Sequence, residues 1–345
     1  MRGSEEVFVK AIVIQGSFGL GSLAEVTLPD PTPGHGQVVI RMRAASLNYR
    51  DLMMIRGQYN PRQPLPLVPF SDGVGEVIEV GPSVTHLKKG DRVCPIFTPA
   101  WQDGELDAEK LKTTLGGPLP GVLSELFVTG ESGLMKVPAH LSDEEAATLP
   151  CAAVTAYNAL FCSGRVSPGD TVLVQGTGGV SVFALQFARL AGARVIVTSS
   201  SDAKLERAKS LGAWATINYK TTPDWDKKAL ELTGGVGVDH VVEVGGAGTL
   251  ARSMRATRIA GTVSVIGVLA GGAQEMSVLP ILMKHLRLQG IMVGSRAMFE
   301  AMNRAIEAGG LRPVIDEKTF SFGEAREALT YMESAGHFGK IVLRF

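Results

Sequence analysis

The sequence predicts an α/β protein of two units, one rich in short strands and one built on a doubly wound parallel sheet. Three observations predict it. The first third alternates short apolar runs with Gly and Pro turns. From about Thr155 the chain instead repeats a buried strand, a glycine turn and a helix, the alternation of a parallel sheet. At 345 residues it is too long for one ordinary core and long enough for two.

Taken in order, the runs at 7–14, 37–44, 74–80 and 92–96 read as strands of the β-rich unit. Residues 99–120 have weak periodicity and read as a surface loop with one helical turn; Trp101 and the Gly116-to-Gly121 turn lie in it, either lining a pocket or on the surface. Ser142 with Glu145 three residues on forms a capping box that starts a helix. Strands follow at 171–175 and 194–198, and helices at 181–191 and 202–211, with Asp202 as N-cap and Gly212 as terminator. Further strands are expected at 239–243, 261–266 and 286–291, and after Ser295 a helix and short strands close the chain.

Lys and Arg total 34, as do Asp and Glu, so no net field draws the chain to nucleic acid or acidic lipid. Cys94, Cys151 and Cys162 lack a CxxC spacing and form no disulfide framework, which points to a reducing, cytoplasmic compartment. No apolar run approaches the ~20 residues that span a bilayer, and the start carries no secretory signal.

The strongest motif is Val172-Leu173-Val174-Gln175-Gly176-Thr177-Gly178-Gly179-Val180-Ser181, a glycine turn between a buried strand and a helix. Its free backbone N–H groups and the positive helix end suit a pyrophosphate. Ser181 stands where the fingerprint has Gly or Ala, and is small enough for close helix packing. An NAD-binding chain would carry an acid at the end of the second strand to bind the ribose 2′-OH. This strand ends Thr198-Ser199-Ser200-Ser201 with Lys204 on the next turn, hydroxyls and a cation that favour the 2′-phosphate of NADP(H). Asp202 falls late for the missing acid and fits better as a cap; Lys204 reads equally as a solvated helix lysine.

The nucleotide turn stands in one chain with Ala45-Ser46-Leu47-Asn48-Tyr49-Arg50-Asp51, Pro69-Phe70-Ser71-Asp72-Gly73-Val74-Gly75, Gly90-Asp91-Arg92-Val93 and Thr155-Ala156-Tyr157. With these motifs the chain resembles the medium-chain dehydrogenase/reductases, the superfamily of zinc alcohol dehydrogenases and quinone reductases, over nearly its full length. It implies a GroES-like, partly open β-barrel catalytic domain over 1–152 and 295–345, a Rossmann NADP-binding domain over 153–294, and an active cleft between them. Zinc-dependent members hold their catalytic metal with Cys, His and Cys, at positions that correspond to Asn48, Ser71 and Cys151. An amide and a hydroxyl do not replace thiolate and imidazole, and the cysteine cluster of a structural zinc lobe is missing after Cys94, so no metal of either kind is expected.

What remains matches zinc-free quinone reductases, whose resemblance places Asn48, Asp51 and Tyr59 beside the nicotinamide as candidate catalytic residues. The plainer reading is that Asn48 caps the helix after it and Asp51 ties that helix to the barrel. The same similarity assigns cofactor contacts to Gly176, Thr177, Gly178, Gly179 and Val180 of the turn, to Ser199, Ser200 and Lys204, and to Thr155, Tyr219, Val244, Gly245, Gly267, Leu269, Val293 and Lys340. A homodimer is expected through the last Rossmann strand, near Leu286 and Ile291.

Without a metal, alcohol oxidation lacks a group to hold the alkoxide, and no Tyr-x-x-x-Lys pair stands in for it. Conjugate reduction asks for less, because hydride delivered to an enone or quinone leaves its charge on a delocalised oxygen. The expected function is NADPH-dependent reduction of a small enone, quinone or carbonyl compound. The rivals are an alcohol dehydrogenase with an unusual metal site built on Asp72 and Cys151, and a non-catalytic NADPH-binding protein.

Overall fold

The computed structural model describes residues 8–273 and 275–345; Val7, expected to open the first strand, lies outside them. The chain divides into two compact units, Met1–Cys151 with Gly294–Phe345, and Ala152–Val293.

In the first unit β1 (Phe8–Ile14) and β2 (Leu23–Pro29) pair antiparallel. The long strand β3 (Gln37–Ser46) pairs antiparallel with β4 (Asp72–Val80), which carries β5 (Arg92–Pro95). Beyond these, β6 (Leu126–Gly130) pairs with β3 and β7 (Leu134–Lys136) with β5. The terminal strands Phe320–Ser321 and Val342–Arg344 close on the other end of β3, so residues nearly 300 positions apart in sequence meet there. Register shifts in the β3–β4 ladder between Val39 and Ile40 and between Met42 and Ala44 bend the sheet, as bulges do. Gly75 permits the close β3–β4 approach: a Cβ there would lie 2.4 Å from Arg41 O. The inward faces bury Ile12, Ile40, Met42, Leu52, Phe70 and Leu123 in one core.

The second unit is a six-stranded parallel sheet made of β8 (Thr171–Gln175), β9 (Arg194–Ser199), β10 (Ala215–Asn218), β11 (Val238–Glu243), β12 (Thr257–Val265) and β13 (Arg287–Gly290). Its order, β10-β9-β8-β11-β12-β13, reverses between β8 and β11. In open sheets of this kind ligands bind at the carboxyl ends of the strands where the order reverses. Gln175 and Glu243 end those two strands.

The Ser142–Glu145 capping box is present, with Glu145 N donating to Ser142 Oγ at 3.2 Å, although its helix runs only Asp143–Ala146. The loop 99–120 carries one helical turn, Ala108–Leu111, capped by Asp107. One expectation is corrected. Ser201, not Asp202, caps the helix Asp202–Ser210, accepting from Lys204 N, while Asp202 sits at the first helical position and accepts from Asn218 Nδ2 at 2.7 Å. A serine hydroxyl caps as well as a carboxylate, so the position is set by where the strand ends. Among the described residues no helix is long and apolar enough to cross a membrane.

Candidate active site

In the first unit the segment after β3 turns into the helix Tyr49–Ile55, with Asn48 extended at its N-cap. Asp51, three residues on, reaches back to the Asn48 N–H at 2.7 Å. That bond is the Asp51 half of a capping box, and the Asn48 amide also faces two buried side chains. Its Oδ1 accepts from Lys340 Nζ at 2.6 Å, and its Nδ2 lies 3.4 Å from Ser71 Oγ. Ser71 donates to Asp72 Oδ1 at 2.7 Å, and Asp72 Oδ2 accepts from Cys151 N at 3.0 Å. Lys340 also donates to Leu47 O at 2.5 Å and stands 3.9 Å from Asp72 Oδ2. Asn48, Asp51, Ser71, Asp72 and Lys340 are all buried.

Burial dominates the electrostatics of this cluster. It pushes Asp51 up to about 7 against the opposing pull of Arg50. Asp72 is also raised by burial, with Lys340 and the Ser71 hydroxyl acting the other way. Desolvation, reinforced by Asp72, drives the Cys151 thiol well above the usual thiol range.

Tyr59 is part of a neighbouring arrangement. Its ring packs 4.9 Å from the Arg50 guanidinium, which also stacks on Phe97 and donates to the carbonyls of Leu115 and Gly117. Arg50 thereby ties the 99–120 loop to the helix Tyr49–Ile55. The Tyr59 side chain remains exposed.

A zinc ion does not fit this donor set. The corresponding side chains are a neutral amide, a hydroxyl already committed to Asp72, and a thiol held in its protonated form. Among the described residues no three His, Cys, Asp or Glu side chains come together as a metal requires.

A dinucleotide does fit the second unit. Gly176 takes φ +72°, and a Cβ at Gly176 or Gly178 would meet nothing within 4 Å, so the turn leaves its backbone open. The helix Gly179–Leu190 begins there with no side chain capping it, and its N–H groups are available to an anion. Ser181 donates to Gln175 O at 2.6 Å, which seats the helix on its strand. Thr177 is buried beside the turn, and Val180 is partly exposed on the first helical turn.

At the end of β9, Ser199 is buried and Ser200 and Lys204 are partly exposed; Tyr219 N donates to Ser199 O at 3.0 Å, leaving the Tyr219 ring exposed. Thr155 is buried on the helix Val154–Tyr157, and the Val293 carbonyl accepts from Asn158 Nδ2 at 2.8 Å. The structure also draws Val244, Gly245, Gly267 and Leu269 together, since Leu269 N donates to Val244 O and a Cβ at Gly267 would sit 2.5 Å from that oxygen.

Sequence reasoning missed what holds this turn. Glu243 is fully buried and accepts from Gly245 N, Gly246 N, Thr249 Oγ1, Gln175 Nε2 and Ser253 Oγ. Gln175 Oε1 in turn accepts from Val244 N and Gly245 N, both at 3.2 Å. An acid ending a buried strand just before Gly245-Gly246 was the available signal.

A parallel sheet with an open glycine turn at its switch point, in one chain with a bent antiparallel sheet carrying a buried polar cluster, defines a dinucleotide-dependent enzyme class. The comparisons agree. The "Alcohol dehydrogenase GroES-like domain" family matches residues 34–139 and the "Zinc-binding dehydrogenase" family residues 179–308. A zinc-type alcohol dehydrogenase-like protein of Schizosaccharomyces pombe is 47% identical over 90% of this chain and 91% of its own. An acryloyl-coenzyme A reductase of Metallosphaera sedula is 29% identical over 97% and 99%. Among solved structures, an NAD-dependent alcohol dehydrogenase superposes with a TM-score of 0.89 at 36% identity, covering 97% of this chain and 99% of that one. A mycobacterial protein complexed with NADPH does so at 0.82 and 25%, covering 98% and 100%. The chain belongs to the medium-chain dehydrogenase/reductase superfamily and is an oxidoreductase of it.

Proposed function

We propose that the chain is an NADPH-dependent reductase that moves hydride to a small enone, quinone or carbonyl compound without a catalytic metal. The observation that carries this reading is the Asn48–Lys340–Ser71–Asp72 cluster, which sets a neutral amide and a hydroxyl committed to a carboxylate where a metal-dependent relative would have a thiolate and an imidazole. Bound NADPH supplies a hydride. Gly176, Thr177, Gly178, Gly179 and Val180 hold its pyrophosphate, Ser199, Ser200 and Lys204 its 2′-phosphate, and Tyr219 the adenosine end. Thr155, Val244, Gly245, Gly267, Leu269 and Val293 line the rest.

The protein's own work is orientation and charge stabilisation. Hydride delivered to the β-carbon of an enone would send the double-bond electrons to the carbonyl oxygen, where a hydrogen bond from Asn48, Tyr59 or the cofactor ribose would stabilise the charge. The α-carbon then takes a proton from water or from the Tyr59 hydroxyl. Asp51 fixes Asn48 through its backbone. The acryloyl-coenzyme A reductase relative, whose named substrate is an activated alkene, supports conjugate reduction. The NAD-dependent alcohol dehydrogenase supports the second reading, alcohol oxidation.

We further propose a cytoplasmic homodimer. β13 has a strand neighbour on one side, and Val278, Leu279, Leu282 and Met283 beside it are each more than half exposed, a patch that a second copy would cover.

The test is incubation with NADPH deuterated at C4 and a panel of enones, quinones and aldehydes. Deuterium on the β-carbon of an enone, or NADPH-coupled quinone reduction, is the expected result. Deuterium found only on the carbonyl carbon of aldehydes, with the corresponding alcohols oxidised when NADP+ is supplied instead, would move the assignment to the second reading.

A further inference from the structure

The ends of β8 and β11 are joined by two buried side chains, Gln175 and Glu243, whose hydrogen bonds have a fixed direction. Gln175 Oε1 accepts from Val244 N and Gly245 N, both at 3.2 Å, so its Nε2 faces the other way. There it donates to Glu243 Oε2 at 2.7 Å and to Ser253 Oγ at 2.8 Å. Ser253 gives its own proton to Glu243 Oε2, which closes a ring of three side chains. Glu243 Oε1 accepts from Gly245 N at 2.8 Å, Gly246 N at 3.0 Å and Thr249 Oγ1 at 2.6 Å. Donors converge on both of its oxygens, a demand that a carboxylate meets and a neutral amide does not.

The N–H groups of Val244, Gly245 and Gly246 are thereby spent inside the protein. Glycines between a strand and a helix, as in Gly245-Gly246-Ala247-Gly248, otherwise cradle an anion with those groups, and here the anion is the protein's own carboxylate. The turn after β8 differs, since the helix Gly179–Leu190 begins with no side chain capping it. On its carbonyl side the Val244–Gly245 segment is held as well, by Leu269 N to Val244 O at 3.2 Å and Ala270 N to Gly245 O at 2.7 Å. One brace therefore joins the ends of β8 and β11 to the segment that follows β12.

We propose that Glu243, with Gln175, is a positioning residue for the cofactor: it closes the second glycine turn to phosphate and fixes that turn against the first, so that the nicotinamide half of NADPH meets a rigid wall. This rests on the reading that Val244, Gly245, Gly267 and Leu269 line the nicotinamide half while Ser199, Ser200 and Lys204 hold the 2′-phosphate. The ring of bonds supplies its own control. In Glu243→Gln alone two amide N–H2 groups point at one another, and neither amide turns over without setting a donor against the N–H groups of the turn. In the double variant Gln175→Glu with Glu243→Gln the ring runs the opposite way with every bond kept, Ser253 accepting from residue 243 and donating to residue 175.

The experiment measures the Kd of NADPH and of 2′,5′-ADP, which lacks the nicotinamide half, for wild type, Glu243→Gln and the exchanged double variant. Glu243→Gln is expected to weaken NADPH about tenfold, the scale of one buried donor left without an acceptor, and 2′,5′-ADP less than about twofold. The exchanged variant should bind NADPH within about threefold of wild type. A loosening of the whole unit would weaken both ligands alike. That result, or an unchanged NADPH Kd in folded Glu243→Gln, or an exchanged variant no better than the single one, would overturn the proposal. Should Glu243→Gln not fold, Thr249→Val decides, because it removes one donor to Glu243 and keeps the shape of the side chain. NADPH weakened about threefold at constant 2′,5′-ADP affinity supports the proposal, and an equal change in both or in neither overturns it. A wild type that binds neither ligand would defeat the cofactor reading and this inference with it, whereas unchanged variants of a wild type that binds both would defeat this inference alone.

Discussion

Asn48, Asp51 and Tyr59 are visible in the sequence because they sit in one short motif, but what acts on them is not. Lys340 lies 292 residues from Asn48 and meets it only because the last strand pairs with β3. No local pattern encodes that contact, and a lone lysine before a terminal strand looks like many others. Asp51 is a candidate catalytic residue with a structural alternative; one carboxylate oxygen bonds the Asn48 backbone, as that alternative has it, while Oδ1 is buried without a hydrogen-bond partner. Its burial has a measurable consequence. With the carboxyl raised from 3.8 to about 7, the folded protein holds a proton that the unfolded chain has already lost between those values. Stability therefore falls as pH rises from about 4 to 7 and is flat, for this group, above that. Urea unfolding across that range should show the loss, up to about 4 kcal/mol from this residue. Asp51→Asn should flatten the slope. An identical slope in the variant would mean that the proton is held elsewhere.

At the scale of elements, the parallel half of the chain was the more legible. Buried strands of continuous Val, Ile and Leu, each closed by a glycine or a cap, fixed 171–175, 194–198 and 239–243 to within a residue or so of β8, β9 and β11. The short strands β2, β6, β7 and β10 escaped notice. Alternation over three to seven residues on a partly exposed strand carries little periodicity. The helices Trp225–Leu232 and Leu250–Ala256 were missed for a related reason, since two turns give a weak amphipathic signal. The end of β9 is where cofactor choice is tested. Ser200 is partly exposed there, beside Lys204 on the first turn of the next helix. Ser200→Asp supplies a ribose acceptor and repels a 2′-phosphate, so kcat/KM for NADPH over NADH should fall by about two orders of magnitude. A ratio that does not move would place the 2′-phosphate elsewhere.

For the whole molecule, length and the change of pattern near Thr155 made the two-unit organisation readable, whereas the return of the chain to the first unit after residue 293 came from the family resemblance rather than from periodicity. Assembly belongs to this scale too. β13 reads as a short strand with polar residues, and its exposed apolar neighbours on the helix Leu279–Met283 become meaningful only when the sheet order makes it an edge. Light scattering should give twice the 36.5 kDa chain mass, and Leu282→Glu with Met283→Glu should halve it without changing the far-UV spectrum. A wild-type monomer at micromolar concentration would remove the proposed dimer.

The buried amide, ammonium and carboxylate cluster is the feature on which the reaction assignment turns. The most direct measurement is metal content together with NADPH turnover on the best enone or quinone, before and after exhaustive chelation. Far less than one zinc per chain is expected, with a rate that chelation does not alter. About one zinc per chain, with activity lost on chelation and restored by zinc, would contradict it and favour the alcohol dehydrogenase reading.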